Sequence, residues 1–214
     1  MNAPKLTRHQ ARVHEEILDA AARAFSRGGY SATSVDEIAK EAEVATSTLY
    51  RYFAGKEAIY NGLIEKIARQ VTEVFDEPVM PSLSYEQRVE LLIRRQLSLI
   101  ESNREFFLML VADDVLTQWR LTADDTVAGS AFQTMHGRLR DVLQRGVEER
   151  QLREIDPALT ATMIYGALTM IFFSWTRGAQ DRPLQDYAPE ILSIIFHGAQ
   201  RPRQVEGGYG QRFG

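Results

Sequence analysis

The chain has 214 residues, no cysteine and a net charge of −4, with 44% apolar and 25% charged side chains. That composition can bury a core, and it excludes a disordered chain, a disulfide scaffold and thiol catalysis. It fits a reducing, cytoplasmic setting, and the opening MNAPKLTRHQAR has no apolar run of the kind a secretory signal needs. Residues 1–60 carry eight Lys/Arg and eight Asp/Glu, so the acidity belongs to the remainder.

A first helix is expected over residues 7–29. Thr7 and Gln10 form a capping box, Val13, Ile17, Ala21 and Phe25 make the apolar stripe, and Gly28-Gly29 stops it. Ser34 and Glu37 form a second capping box, opening a helix with Val35, Ile38, Ala39 and Ala42 on one face. The pattern breaks at residues 43–45. A short helix follows from about Thr46 to Phe53, anchored by Leu49 and Phe53. Phe25, Ile38 and Leu49 are expected at the centre of a three-helix core. The other face of the third helix carries Thr46, Ser47, Thr48, Tyr50, Arg51 and Tyr52, with hydroxyls, phenols and one cation but no carboxylate. Two short helices joined by a tight turn, the second presenting such a face, suit a recognition helix in the major groove of DNA. A neutral first domain can do this only if its charges are segregated. Lys5, Arg8, Arg12, Arg51 and Lys56 would have to face DNA, with the carboxylates of the second helix turned away.

IAKEAEVATSTLYRYFAGKEAIY, preceded by ILDAAARAFSRGGYSATSVDEIAKEA, closely resembles the DNA-binding signature of the TetR family of bacterial transcriptional regulators, over roughly residues 13 to 62. The resemblance implies groove contacts from Thr46, Ser47 and Thr48 and phosphate contacts from Tyr50, Tyr52 and Lys56, with Thr33 and Arg51 as further candidates. It also implies a homodimer on a palindromic double-stranded operator, more often a repressor than an activator, released by a small-molecule effector. Two residues depart from the family pattern: Glu43 stands where glycine is usual, and Ala45 where a capping serine is usual. Thr46 or Ser47 could cap instead and start the helix a residue late.

A fourth helix, from Lys56 to about Phe75, begins inside the DNA-binding unit and leaves it, so it can act as a lever. Pro78 and Pro81 mark a break. The expected organisation is a helix-turn-helix domain over 1–56, a larger helical ligand-binding and dimerisation domain over 57–201, and a flexible tail over 202–214. The fold class is all-α. Ser84 and Gln87 cap the next helix, Asn103 is a candidate cap for the one after, and a long helix is expected from about Thr122 to Arg150. Asp156-Pro157 opens another. Residues 157–176 lack charge and meet the length of a membrane span, but their threonines and helical periodicity favour a buried helix and no membrane. Ile164, Tyr165, Leu168, Phe172, Trp175, Ile191, Ile194 and Ile195 are the expected dimer interface, two helices from each chain forming a bundle.

An effector pocket is expected among Phe106, Phe107, Met109, Leu110, Trp119, Phe132 and His136, with Asp113 as a polar anchor. That lining favours an apolar ligand, which would act by shifting the population of two conformations. No metal or other cofactor is implied. The residues offer no HExxH, no phosphate-cradling glycine loop, and histidines scattered at 9, 14, 136 and 197, which argues against an enzyme. A helical partner-binding protein is the alternative, and it leaves the hydroxyl-rich face of residues 46–52 unexplained.

Overall fold

The computed structural model describes residues 7–76, 82–112, 127–178 and 182–197, and in these residues the fold is all-α. Helix α1 (Arg8–Ala32) starts as its capping box requires. The Gln10 amide nitrogen donates to Thr7 Oγ1 at 3.3 Å, and the Thr7 amide donates to Gln10 Oε1 at 2.8 Å. Gly29 then breaks it, with φ 76° and ψ 160°, a conformation in the left-handed half of backbone space that glycine adopts at no steric cost. Helix α2 (Val35–Glu41) begins at the Ser34–Glu37 box. Its end turns left-handed at Glu43, φ 55°, and the Val44 amide closes the turn on the Ala39 carbonyl at 3.0 Å. A side chain in that conformation costs about 1–2 kcal/mol. The chain accepts this cost where glycine would avoid it.

Helix α3 (Thr46–Tyr52) has seven residues, too few to be stable alone. Leu49 and Phe53 hold it by burial in the core with Phe25 and Ile38. Its N-cap is Ala45, which supplies no side-chain hydrogen bond. Neither Thr46 nor Ser47 takes over as cap: both lie inside the helix, and the Thr46 hydroxyl donates to Asp36 Oδ1 at 2.8 Å.

Helix α4 (Lys56–Asp76) rises out of this unit, and α5 (Tyr85–Ser102) starts on the third capping box, Ser84 with Gln87. Asn103 does not cap α6 (Arg104–Ala112) with its side chain. Its amide group donates to the Leu99 carbonyl at 2.9 Å, satisfying the end of α5. Helix α7 (Val127–Glu148) packs along α4 and α8 (Pro157–Arg177). Asp156 caps α8 by accepting from the Ala158 and Leu159 amides. A 3₁₀ turn (Leu184–Tyr187) and α9 (Ala188–His197) complete the described chain. The proline break at 78–81 and the tail at 202–214 lie outside the described residues.

Two cores result. The first joins α1, α2 and α3 to the lower half of α4, through Ile59, Leu63, Ile64, Ile67 and Val71, and also takes in Phe106 and Met109 of α6. Packing therefore runs across the boundary expected at residues 56–57. The second core gathers α5, α7, α8 and α9. Phe106 and Phe107 meet edge to face at 5.3 Å, and Phe107 reaches Phe172 of the second core at 5.9 Å, so adjacent residues of α6 serve the two cores. Helix α8 is long and apolar enough to cross a bilayer by length and composition, and one of its faces is packed into the second core.

Candidate nucleic-acid interface

Around α3 the structure separates the sequence candidates into two groups. Ser47, Tyr50 and Arg51 are exposed, and Thr46, Thr48 and Tyr52 are half-buried along the same outer surface. Tyr52 also packs against the first core. Thr33 and Lys56 are committed elsewhere. Thr33 is buried and its hydroxyl donates to the Gly29 carbonyl at 2.8 Å, tying off the kink of α1. The Lys56 ammonium donates to the carbonyls of Tyr30, Ser31 and Thr33 at 2.8, 3.2 and 2.9 Å and lies 4.6 Å from the Tyr30 ring centroid. A lysine has three protons to donate. All three have acceptors in the protein, so Lys56 fastens the start of α4 to the end of α1 rather than standing free for phosphate.

One of the carboxylates nearby, Glu41, is paired locally. Glu41 accepts from Arg23 and Arg27, and these guanidiniums hold its carboxyl below the usual range. Glu37 is likewise lowered by its hydrogen bonds from the Ser34 backbone and hydroxyl. Asp36 bears on α3 itself. It is exposed and sits against Thr46, so the carboxylates of α2 are not all turned away from α3. Arg12 pairs with Glu16 on α1, and Lys5 lies outside the described residues.

Two contacts fix α3 and α4 against α1. His14 stacks on Phe53 with ring centroids 4.7 Å apart, and burial there lowers its pKa. Lys66 of α4 reaches Glu15 at 2.9 Å and Asp19 at 2.6 Å. Burial opposes its charge, but the two carboxylates outweigh that and raise its pKa. Sequence reading missed both links, since neither pair is close in the chain.

The expected effector lining is dispersed. Phe106 and Met109 are buried in the first core, whereas Phe132 and His136 lie together on α7, 5.9 Å apart, with His136 Nε2 2.9 Å from Thr162 Oγ1. Asp113, Trp119 and the Leu110 side chain lie outside the described residues. A different interior signal is Gln96, 3% exposed in α5, whose Nε2 has no partner among the described residues.

Most of the expected dimer residues are turned inward in the single chain. Ile164, Tyr165, Leu168, Phe172, Trp175 and Ile191 are buried within the chain itself, Ile195 is half-buried, and only Ile194 is exposed. The large apolar residues left exposed are Leu159 (57%), Met163 (57%), Met170 (65%) and Ile194 (62%). On α8 the exposed three, with Gly166, fall at i, i+4, i+7 and i+11, one helical face, and a Cβ at Gly166 would meet open space. Helix α8 is apolar on two faces, and its bulkier stripe packs against the chain's own α5, α7 and α9.

Residues 17–63 match the family described as bacterial regulatory proteins, tetR family. The fatty acid metabolism regulator protein of Bacillus subtilis is 26% identical over 184 residues, spanning 86% of this chain and 93% of its own length. The fold is also that of the fatty acid degradation regulator FadR from Bacillus halodurans (TM-score 0.73, 22% identity, 94% of this chain and 100% of that one). FadR from Bacillus subtilis, solved in complex with stearoyl-CoA, gives a TM-score of 0.67 at 23% identity, over 87% of this chain and 100% of the other. A helix-turn-helix with a hydroxyl-rich outer face, together with the match over residues 17–63, marks these residues as the DNA-binding part of a tetR-family regulatory protein, and the all-α unit that α4 leads into shares its fold with the regulators above.

Proposed function

We propose that this protein is a cytoplasmic, non-enzymatic transcriptional repressor that binds a palindromic operator as a homodimer and is released by a long-chain acyl effector. The observation that carries the DNA reading is the outer face of α3. Ser47, Tyr50 and Arg51 project from a helix whose own orientation is set by Leu49 and Phe53, and no residue of α3 is acidic. Thr46, Ser47 and Thr48 are the proposed groove contacts, with Tyr50, Arg51 and Tyr52 on the flanking phosphates. Short hydroxyls discriminate bases weakly, so DNA shape and bridging water share the specificity.

A single seven-residue helix makes too few contacts for tight binding, and a twofold pair reading successive major grooves supplies the rest. The proposed dimer surface is the face of Leu159, Met163, Gly166 and Met170 together with Ile194, in place of the buried stripe. Residues 1–56 as the reader and 57–201 as the sensor remain the proposed division of labour, with α4 and α6 shared between them. The acyl effector is supported by the fatty-acid regulators that this chain resembles. Gln96 adds a physical reason. A buried donor without an acceptor costs about 1–3 kcal/mol, which a carbonyl oxygen of a bound ligand would offset.

The test is selection of bound sequences from a random DNA pool, then titration of the winner at two salt concentrations. An enriched palindrome whose affinity falls steeply with salt is expected. Stearoyl-CoA should then release it. No enrichment by folded, dimeric protein would sink the DNA reading, and an operator complex indifferent to stearoyl-CoA would sink the acyl effector.

A further inference from the structure

The far end of α4 meets the beginning of α5 and the end of α7 around a cleft of about 230 Å³. Val74 and Phe75 of α4 make its floor apolar, and Phe75 packs against both cores. Tyr85 forms one wall. Its ring lies against Gly146, where a Cβ would collide with it, and its hydroxyl donates to the Val142 carbonyl at 3.1 Å. Burial pushes that phenol up to about 12, so it brings no negative charge to the cleft near neutral pH.

Three guanidiniums line the same space, Arg88 and Arg95 of α5 and Arg145 of α7, against one carboxylate, Glu149. The neighbouring Arg94 shows what a structural arginine looks like here, with Glu90 at 2.8 Å and Asp186 at 3.5 Å. Arg88 and Arg145 make no ion pair with a described carboxylate. Excess positive charge gathered over an apolar floor favours one class of molecule: an anion attached to a hydrocarbon. Guanidinium is the side chain best matched to phosphate and carboxylate oxygens.

We propose that this cleft seats the anionic head of an amphiphilic effector, a phosphate or carboxylate on an apolar stem, with Arg88 and Arg145 as its charge partners. The volume is below the roughly 300–1,000 Å³ of a site that swallows a whole drug-sized ligand, so the head and first methylenes enter and a longer chain extends beyond. A stem wedged against Val74 and Phe75 bears on the far end of the helix that starts at Lys56. This deepens the effector reading above and rests on it only for the link to DNA release.

The test is calorimetric titration of the full-length protein with octyl phosphate, octanoate and octanol. Octyl phosphate or octanoate should bind at least tenfold more tightly than octanol, and whichever binds better identifies the head group. Arg88→Ala and Arg145→Ala should each weaken the anion about tenfold while leaving octanol unchanged. Arg145→Lys should restore part of the loss. Both arginines are exposed, so helicity should be unaffected, and unchanged circular dichroism confirms it. Anions that bind no better than octanol, or variants that bind them like the parent, overturn the assignment. If the anion binds the cleft but stearoyl-CoA leaves the operator complex intact, the acyl effector fails and the cleft stands. If stearoyl-CoA binds and releases DNA equally from the Arg88→Ala/Arg145→Ala double variant, the cleft fails and the effector reading stands.

Discussion

Helices α3 and α8 both turn large unsatisfied side chains outward, and they do so on opposite terms. Among the described residues the exposed large apolar or aromatic side chains are Tyr50 on α3, Leu159, Met163 and Met170 on α8, and Ile194 on α9. Helix α3 is polar outside and narrow inside, so its inner and outer faces cannot be confused. Helix α8 is apolar almost all round. The same periodicity that marks Ile164, Leu168 and Phe172 as one stripe also marks Leu159, Met163 and Met170 as another, with Leu159 and Met163 each five residues before its counterpart. Which stripe a chain buries in itself, and which it offers, depends on what else packs there. Here α5, α7 and α9 take the bulkier one.

The sharpest break of that comparison is within α8. Leu168→Ala should lower unfolding free energy by about 2–5 kcal/mol in urea denaturation, as an internal cavity does. A loss that vanished at high protein concentration would instead return Leu168 to an interface between chains. Next in size, Met163→Glu with Met170→Glu should convert the proposed dimer to monomer in sedimentation velocity, with helicity kept. A dimer that survives both charges would place the contact elsewhere.

A smaller effect tests the α3 side. Lys56→Gln should reduce stability by about 1.5–3 kcal/mol, because three charge-assisted hydrogen bonds to carbonyls are weakened. A lysine serving phosphate alone would leave stability unchanged and alter only the salt dependence of DNA binding. Arg51 is therefore the cleaner probe of the proposed phosphate face, and Arg51→Ala should reduce the salt slope by about one.

The smallest effect is a pH dependence. Burial against Phe53 lowers the folded-state pKa of His14 below the 6.5 of the unfolded chain. The unfolded state thus binds more protons in that window. The stabilising contribution is complete above about 6.5 and is lost as pH falls toward the folded-state value. His14→Gln should flatten that part of the stability profile in denaturation at pH 7 and below. An unchanged slope would mean that the imidazole titrates freely despite the stack.

Local signals were the legible ones. Thr7 with Gln10, Ser34 with Glu37, Ser84 with Gln87 and Asp156 before Pro157 all cap the helices that their spacing implies, because a cap is satisfied within four residues. Phe25, Ile38 and Leu49 do meet in one core for the same reason, each stripe being unambiguous. The illegible parts depend on partners distant in the chain. Asn103 had two helix ends within reach and took the earlier one. Thr33 and Lys56 carry the family's signature, yet their polar atoms are spent on the end of α1, a contact that only the folded path of residues 29–33 creates. The links from Lys66 to Glu15 and Asp19 join residues some fifty positions apart, and no pattern in sequence announces them.

The adjacent phenylalanines of α6 set a rule for building chimeras. Phe106 closes the first core although it comes from the middle of the chain, and Phe107 beside it packs against both cores. A graft that exchanges sensor domains at residue 56, or anywhere along α4, removes Phe106 and Met109 from beneath α1 and leaves the reader with an open seam. A hybrid that is to fold and still recognise its operator has to keep α6 native, or reproduce both rings in the incoming helix.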